Sequence, residues 1–111
     1  MDNSILNSIK DAAGVNEDDS EYNSELILHI NTAFMTLRQI GVGPETPFSI
    51  EDDTSEWSDF TEDEYILPMV KSFVSLDVRK LFDPPTSSSL ATALDNAIAE
   101  YTWRLNIEAD H

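Results

Sequence analysis

The stretch Lys80–Leu90, KLFDPPTSSSL, decides the fold, because it sets two adjacent prolines between segments that both carry helical patterning. Asp83 and Pro84 each precede a proline and are driven out of the helical region of backbone space, while Pro85 has no N–H to donate. Thr86, Ser87, Ser88 and Ser89 supply hydroxyls suited to capping a following helix. The stretch therefore predicts a rigid corner, made by Phe82, Asp83, Pro84, Pro85 and Thr86. It folds the helix before it back on the helix after it as an αα-hairpin, with Phe82 and Leu90 expected to pack across the turn.

After the corner, Leu90, Leu94, Ala97, Ile98, Tyr101 and Leu105 recur at helical spacing and predict a helix over about 87–107. Ala91, Ala93 and Ala99 allow neighbours to approach closely, and Glu100 stands four residues ahead of Arg104 in the favourable order for an ion pair. Before the corner the pattern runs over about 61–82, with Thr61 and Glu64 in capping-box register and Pro68 either kinking the helix or marking its first turn. Two apolar stripes coexist there: Leu67, Val70, Val74, Val78 and Leu81 on one, Ile66, Met69, Phe73 and Leu76 on the other. A helix apolar over so wide an arc packs on more than one side, as the centre of a bundle or at a subunit interface.

Further upstream, Ile5, Leu6, Ile9 and Ala13 predict a short helix over about 3–13, ended by Gly14. Leu26, Ile30, Ala33, Leu37 and Ile40 predict a second over about 24–40, capped by Ser24 or Asn23 and stopped by Gly41. The intervening VNEDDSEYN reads as a connector. Residues 42–61 form a long acidic loop in which Phe48, Ile50, Trp57 and Phe60 are isolated apolar residues, and Phe48-Ser49-Ile50 is a candidate short strand. From about residue 106 the tail is polar and is expected to fray or reach a partner. Together these segments predict an all-α fold: a small four-helix bundle in one domain spanning 1–111, with a long irregular loop between helices two and three.

Composition narrows function. There are 22 acids against 6 bases, a formal net charge of −16, and no cysteine. Lys10, Arg38, Lys71, Arg79, Lys80 and Arg104 are scattered, so the phosphate contacts of a tight DNA binder are missing. Disulfides and thiolate metal sites are excluded, no apolar run reaches a membrane span, and MDNSILNSIKD is acidic where a secretory signal is basic. The chain reads as soluble and not exported. Eight of the fourteen residues from Glu51 to Glu64 are acidic, but the D-x-[DN]-x-[DN]-G spacing of a calcium loop is absent. The only histidines are His29 and the terminal His111, so His29 has no cysteine or second mid-chain histidine to share a metal, and no Gly-rich phosphate loop or H-E-x-x-H motif occurs. No cofactor, metal or catalytic residue is expected.

The segment VRKLFDPPTSSSLATALDNAIAEYTWRLN, Val78 to Asn106, resembles the C-terminal hairpin of the head-tail connector proteins of tailed double-stranded-DNA phages, also called adaptor or head-completion proteins. In that family a helix ending Leu-Phe-Asp-Pro-Pro leads to a helix ending Glu-x-x-Trp-Arg-Leu-Asn. The matching positions are Phe82, Asp83, Pro84, Pro85, Glu100, Trp103, Arg104, Leu105 and Asn106, within a segment of about a quarter of the chain. The resemblance implies a virion structural protein of the neck, present in the host cytoplasm during assembly. It would form a homo-oligomeric ring, twelvefold in the virion, beneath the portal protein. That ring would join the portal to the stopper or tail-completion protein and let DNA pass without specific binding.

Trp57, Phe60, Phe73, Tyr101, Trp103 and Arg104 are the candidate interface residues. A different class of function competes, motivated by charge alone: an acidic DNA mimic that occupies a nucleic-acid-binding partner. A mimic stays small and binds basic enzymes, whereas a connector forms rings or binds portal complexes.

Overall fold

The computed structural model describes residues 3–109, which form five helices and no strand. They are α1 (Ile5–Ala13), α2 (Asn23–Gln39), α3 (Trp57–Phe60), α4 (Leu67–Phe82) and α5 (Ser88–Ala109). The all-α bundle and its C-terminal hairpin are as expected, and α3 is an addition within the long loop. Asp110 and His111, the last residues of the expected tail, lie outside the described residues. Residues 106–109, read as tail, continue α5.

Local chemistry explains the ends. Ser4 caps α1 by accepting the Asn7 N–H at 3.3 Å, and Gly14 closes it in the left-handed region at φ 76°, its N–H turned back to the Lys10 and Asp11 carbonyls. Neither Asn23 nor Ser24 caps α2, contrary to expectation. Asn23 is already the first helical residue, and its Oδ1 accepts from the Lys10 ammonium instead. The start of α4 is also later than the Thr61–Glu64 register suggests. Thr61 Oγ1 accepts from the Asp63 N–H in a local turn, and Pro68 sits in the first turn of α4, where its missing donor costs nothing.

Helix α4 is the hub, packing on α1, α2 and α5. It contributes Val70, Val74 and Val78 from one stripe and Phe73 from the other to a single core, with Leu6, Ile9, Leu26, Ile30, Leu37 and Leu105 around them. At its corner end Leu81 turns outward, so the wide apolar arc narrows there.

The long loop is fastened to the bundle at three places. Asn31 on α2 clamps Ile50 with both ends of its amide, accepting from the Ile50 N–H at 2.8 Å and donating to the Ile50 carbonyl at 3.0 Å. Phe48-Ser49-Ile50 is therefore not a strand, because its backbone partner is a side chain. A lone backbone pairing joins the start of the chain to the loop: Ile5 N–H to Ser55 O at 3.0 Å and Trp57 N–H to Asn3 O at 3.1 Å. Finally Phe34, Phe48, Trp57 and Phe60 interlock edge to face and tilted, with centroids 4.8 to 6.2 Å apart. Gly43 lets this cluster close, since a β-carbon there would stand 2.5 Å from Phe60 Cζ. Helix α3 forms where the chain re-enters this cluster, with Asp59 Oδ2 accepting the Glu56 N–H at 2.8 Å to start it.

Candidate functional site

The corner is built much as its residues dictate. Asp83 ends α4 in a non-helical conformation, φ −138° and ψ 70°, and its N–H closes on the Arg79 carbonyl at 2.8 Å. Pro84 and Pro85 then carry the chain across without donors, and Ser87 opens α5, its Oγ accepting from the Leu90 N–H at 3.1 Å. Thr86 is exposed and makes no such cap. One detail differs from expectation. The ring partner of Phe82 is Tyr22, edge-on at 5.4 Å, while Leu90 is 57 % exposed. The hairpin is tied instead by Lys80 Nζ to Asp95 Oδ1 at 2.9 Å, a hydrogen bond that raises the lysine's pKa; both groups are exposed.

The candidate interface residues separate into two groups. Trp57, Phe60 and Phe73 are buried in the core of the single chain: Trp57 is 2 % exposed and donates its indole N–H to Ser8 Oγ at 3.2 Å. The aromatics of the loop pin it to the subunit. Tyr101 is half-buried beside Leu76 and Lys71, on a shallow groove between α4 and α5. Trp103 is 65 % exposed, and Arg104 pairs with Glu100 at 2.6 Å on the same outer side of α5.

The surface also displays large apolar residues that sequence periodicity passed over. Leu28 and Met35 on α2 are 64 % and 63 % exposed, and Tyr65 stands outside beside the acidic run. The signal for the α2 pair was present: they lie seven residues apart and off the stripe that faces the core. All eight acids from Glu51 to Glu64 point to solvent, so the aromatic side of the loop faces in and the charged side faces out.

Two buried or half-buried polar groups have structural explanations. Lys10 is fully buried, yet its ammonium donates to the carbonyls of Glu17 and Asp19 and to Asn23 Oδ1, holding the α1–α2 connector closed. Asp77 is half-buried on α4, and desolvation raises its pKa against the opposing pull of Lys80 and His29. Because the folded pKa lies above the unfolded one, ionised Asp77 subtracts from stability above the unfolded pKa, and that cost disappears as pH falls through the folded pKa. Asp77→Asn is thus expected to raise the thermal midpoint at neutral pH. Below about pH 4 both forms are uncharged and the gain should vanish; a gain independent of pH would contradict this account.

His29 Nε2 is buried without a hydrogen-bond partner, 3.6 Å from Glu25 Oε1, and among the described residues no three His, Cys, Asp or Glu side chains converge on a cation position. Nor is any described helix long and apolar enough to cross a membrane.

Comparison with known proteins bears on this hairpin-centred bundle directly. No curated protein and no solved structure matches the chain significantly. A family model described as phage connector protein matches residues 5–111, which takes in every helix and the double-proline corner. The chain belongs to the phage connector protein family, and its place is the junction between the phage head and tail.

Proposed function

We propose that this connector assembles into a ring beneath the portal protein, twelvefold in the virion, and joins the portal to the stopper or tail-completion protein. DNA passes through the central opening during packaging and ejection. The work is architectural, with no catalytic step. The observation that carries the reading is apolar surface left over after the core is complete: with every core position filled, Leu28, Met35 and Trp103 still stand more than half exposed within a chain that matches the connector family along its length. A ring of identical copies requires a heterologous contact, one patch against a different patch. The outward acids of residues 51–64 suit a passage whose walls repel the phosphates of the duplex.

Charge sets the conditions for assembly. A net −16 on each subunit opposes association at low ionic strength, and salt screens that repulsion within about 10 Å at 0.1 M. The isolated protein is therefore expected to sediment as a monomer or weak oligomer in low salt and to shift toward rings as salt rises or portal is added. Negative-stain imaging of the chain mixed with portal should show rings seated on portal complexes. Rings that dissociate on raising salt, or a chain that ignores portal and instead binds basic nucleic-acid enzymes as a DNA mimic would, contradict the proposal.

A further inference from the structure

We infer that the ring seam, on the ring reading above, is formed by the outer face of α2 of one copy docking antiparallel on the outer face of α5 of the next. Two stripes carry the inference. On α2, Leu28, Thr32, Met35 and Gln39 are all exposed; on α5, Thr92, Asn96, Ala99 and Trp103 are all exposed. Both follow the same 4-3-4 spacing, so each is a straight line along its helix. Neither contains a charge, on a chain carrying 22 acids. The Thr32 hydroxyl donates to the Leu28 carbonyl at 2.9 Å, so it needs no water and can be covered without loss. Two copies of so acidic a protein can approach closely only through faces of this kind.

The flanking charges choose the partner and the direction. At about 100° per residue, Glu25 lies to one side of the α2 stripe and Arg38 to the other; Asp95 and Arg104 flank the α5 stripe in the same way. Run antiparallel, with Leu28 opposite Trp103 and Met35 opposite Asn96, the seam sets Arg38 beside Asp95, now held by Lys80, and Glu25 beside Arg104, now held by Glu100, so that each acid and base gains an opposite charge across the seam. A parallel seam brings Arg38 to the Glu100–Arg104 pair, which offers it no net charge, and puts Glu25 on the same rim as Asp95, like with like. The complementarity lies between two faces of this same chain, which identifies the occupant of each as a second copy. Leu28 then meets a broad indole, and Met35 fits over the low ground of Asn96 and Ala99.

Because the chain has no cysteine, introduced thiols report the seam without interference. Chains carrying Leu28→Cys and chains carrying Trp103→Cys are mixed in high salt and oxidised; Met35→Cys with Asn96→Cys is the second pair, and Leu28→Cys with Thr92→Cys tests the parallel seam. All these positions are exposed, so unchanged unfolding midpoints verify folding. A disulfide needs α-carbons within about 7 Å, so the antiparallel seam yields disulfide-linked dimers of doubled mass from the first two mixtures and none from the third. A chain bearing both Leu28→Cys and Trp103→Cys should give a ladder of multimers. Oligomers in sedimentation that fail to cross-link, or that link through Leu28 and Thr92, overturn this seam and leave the ring standing. Monomers at every salt and protein concentration overturn the ring itself, and the seam with it.

Discussion

Trp57→Ala is expected to destabilise the folded chain by about 3–5 kcal/mol, the cost of emptying a large aromatic site that a core cannot collapse to fill. The loss is a large share of the total stability of about 5–15 kcal/mol that a domain of this size has to lose. Trp57 touches the Phe34 ring, donates to Ser8 on α1, lies under the Lys71 ammonium and starts α3. Its removal therefore releases the loop, the N-terminal pairing and one wall of the core together. The urea midpoint and its slope measure the effect. Trp57→Phe removes the indole N–H and the second ring together but keeps an aromatic ring against Phe34, and should cost less than Trp57→Ala. A midpoint for Trp57→Ala within experimental error of the parent would mean that the loop is not fastened through this residue.

Lys10→Met is the second large effect, with an expected loss of about 2–3 kcal/mol. Methionine keeps the apolar stem but deletes a charged donor shared by Glu17 O, Asp19 O and Asn23 Oδ1, leaving acceptors without the donor that orders the connector. Arginine should not rescue it, because a planar guanidinium cannot direct donors to three acceptors arranged around a single point. Since the ammonium is buried, the loss should change little with salt, unlike that of a surface pair. Hydrogen exchange between Val15 and Tyr22 should accelerate far more than exchange in α4. Uniform acceleration, or none, would place the effect elsewhere.

What was legible in the sequence was local. Two prolines and a run of serines announce the corner because proline geometry and hydroxyl capping act within a few residues, and the hairpin followed from that alone. The four longer helices were visible through their apolar spacing. Helix α3 was not, since four residues carry no periodicity and its stability comes from Asn3, Phe34 and Gly43, all distant in sequence. The same limit leaves the side that Trp57 and Phe60 face open in the sequence. An aromatic in a polar loop has the same composition whether it turns inward or outward, and only the position of Phe34 decides. The sequence shows α4 apolar on several sides, which suits Phe73 to an interface as well as to a core; as the hub, α4 spends much of that surface on three neighbouring helices. Conversely, Leu28 and Met35 were passed over because attention to the regular stripe of α2 hides apolar residues on its other side.

The pairing of Asn3 and Ile5 with Ser55 and Trp57 has a consequence for how the protein is born. Synthesis delivers α1 before the loop, so the backbone groups of Asn3 and Ile5 meet their partners only some fifty residues later, when Trp57 clears the ribosome exit. A nascent chain halted before Trp57 should leave its opening segment open to proteases, and one released beyond α4 should not.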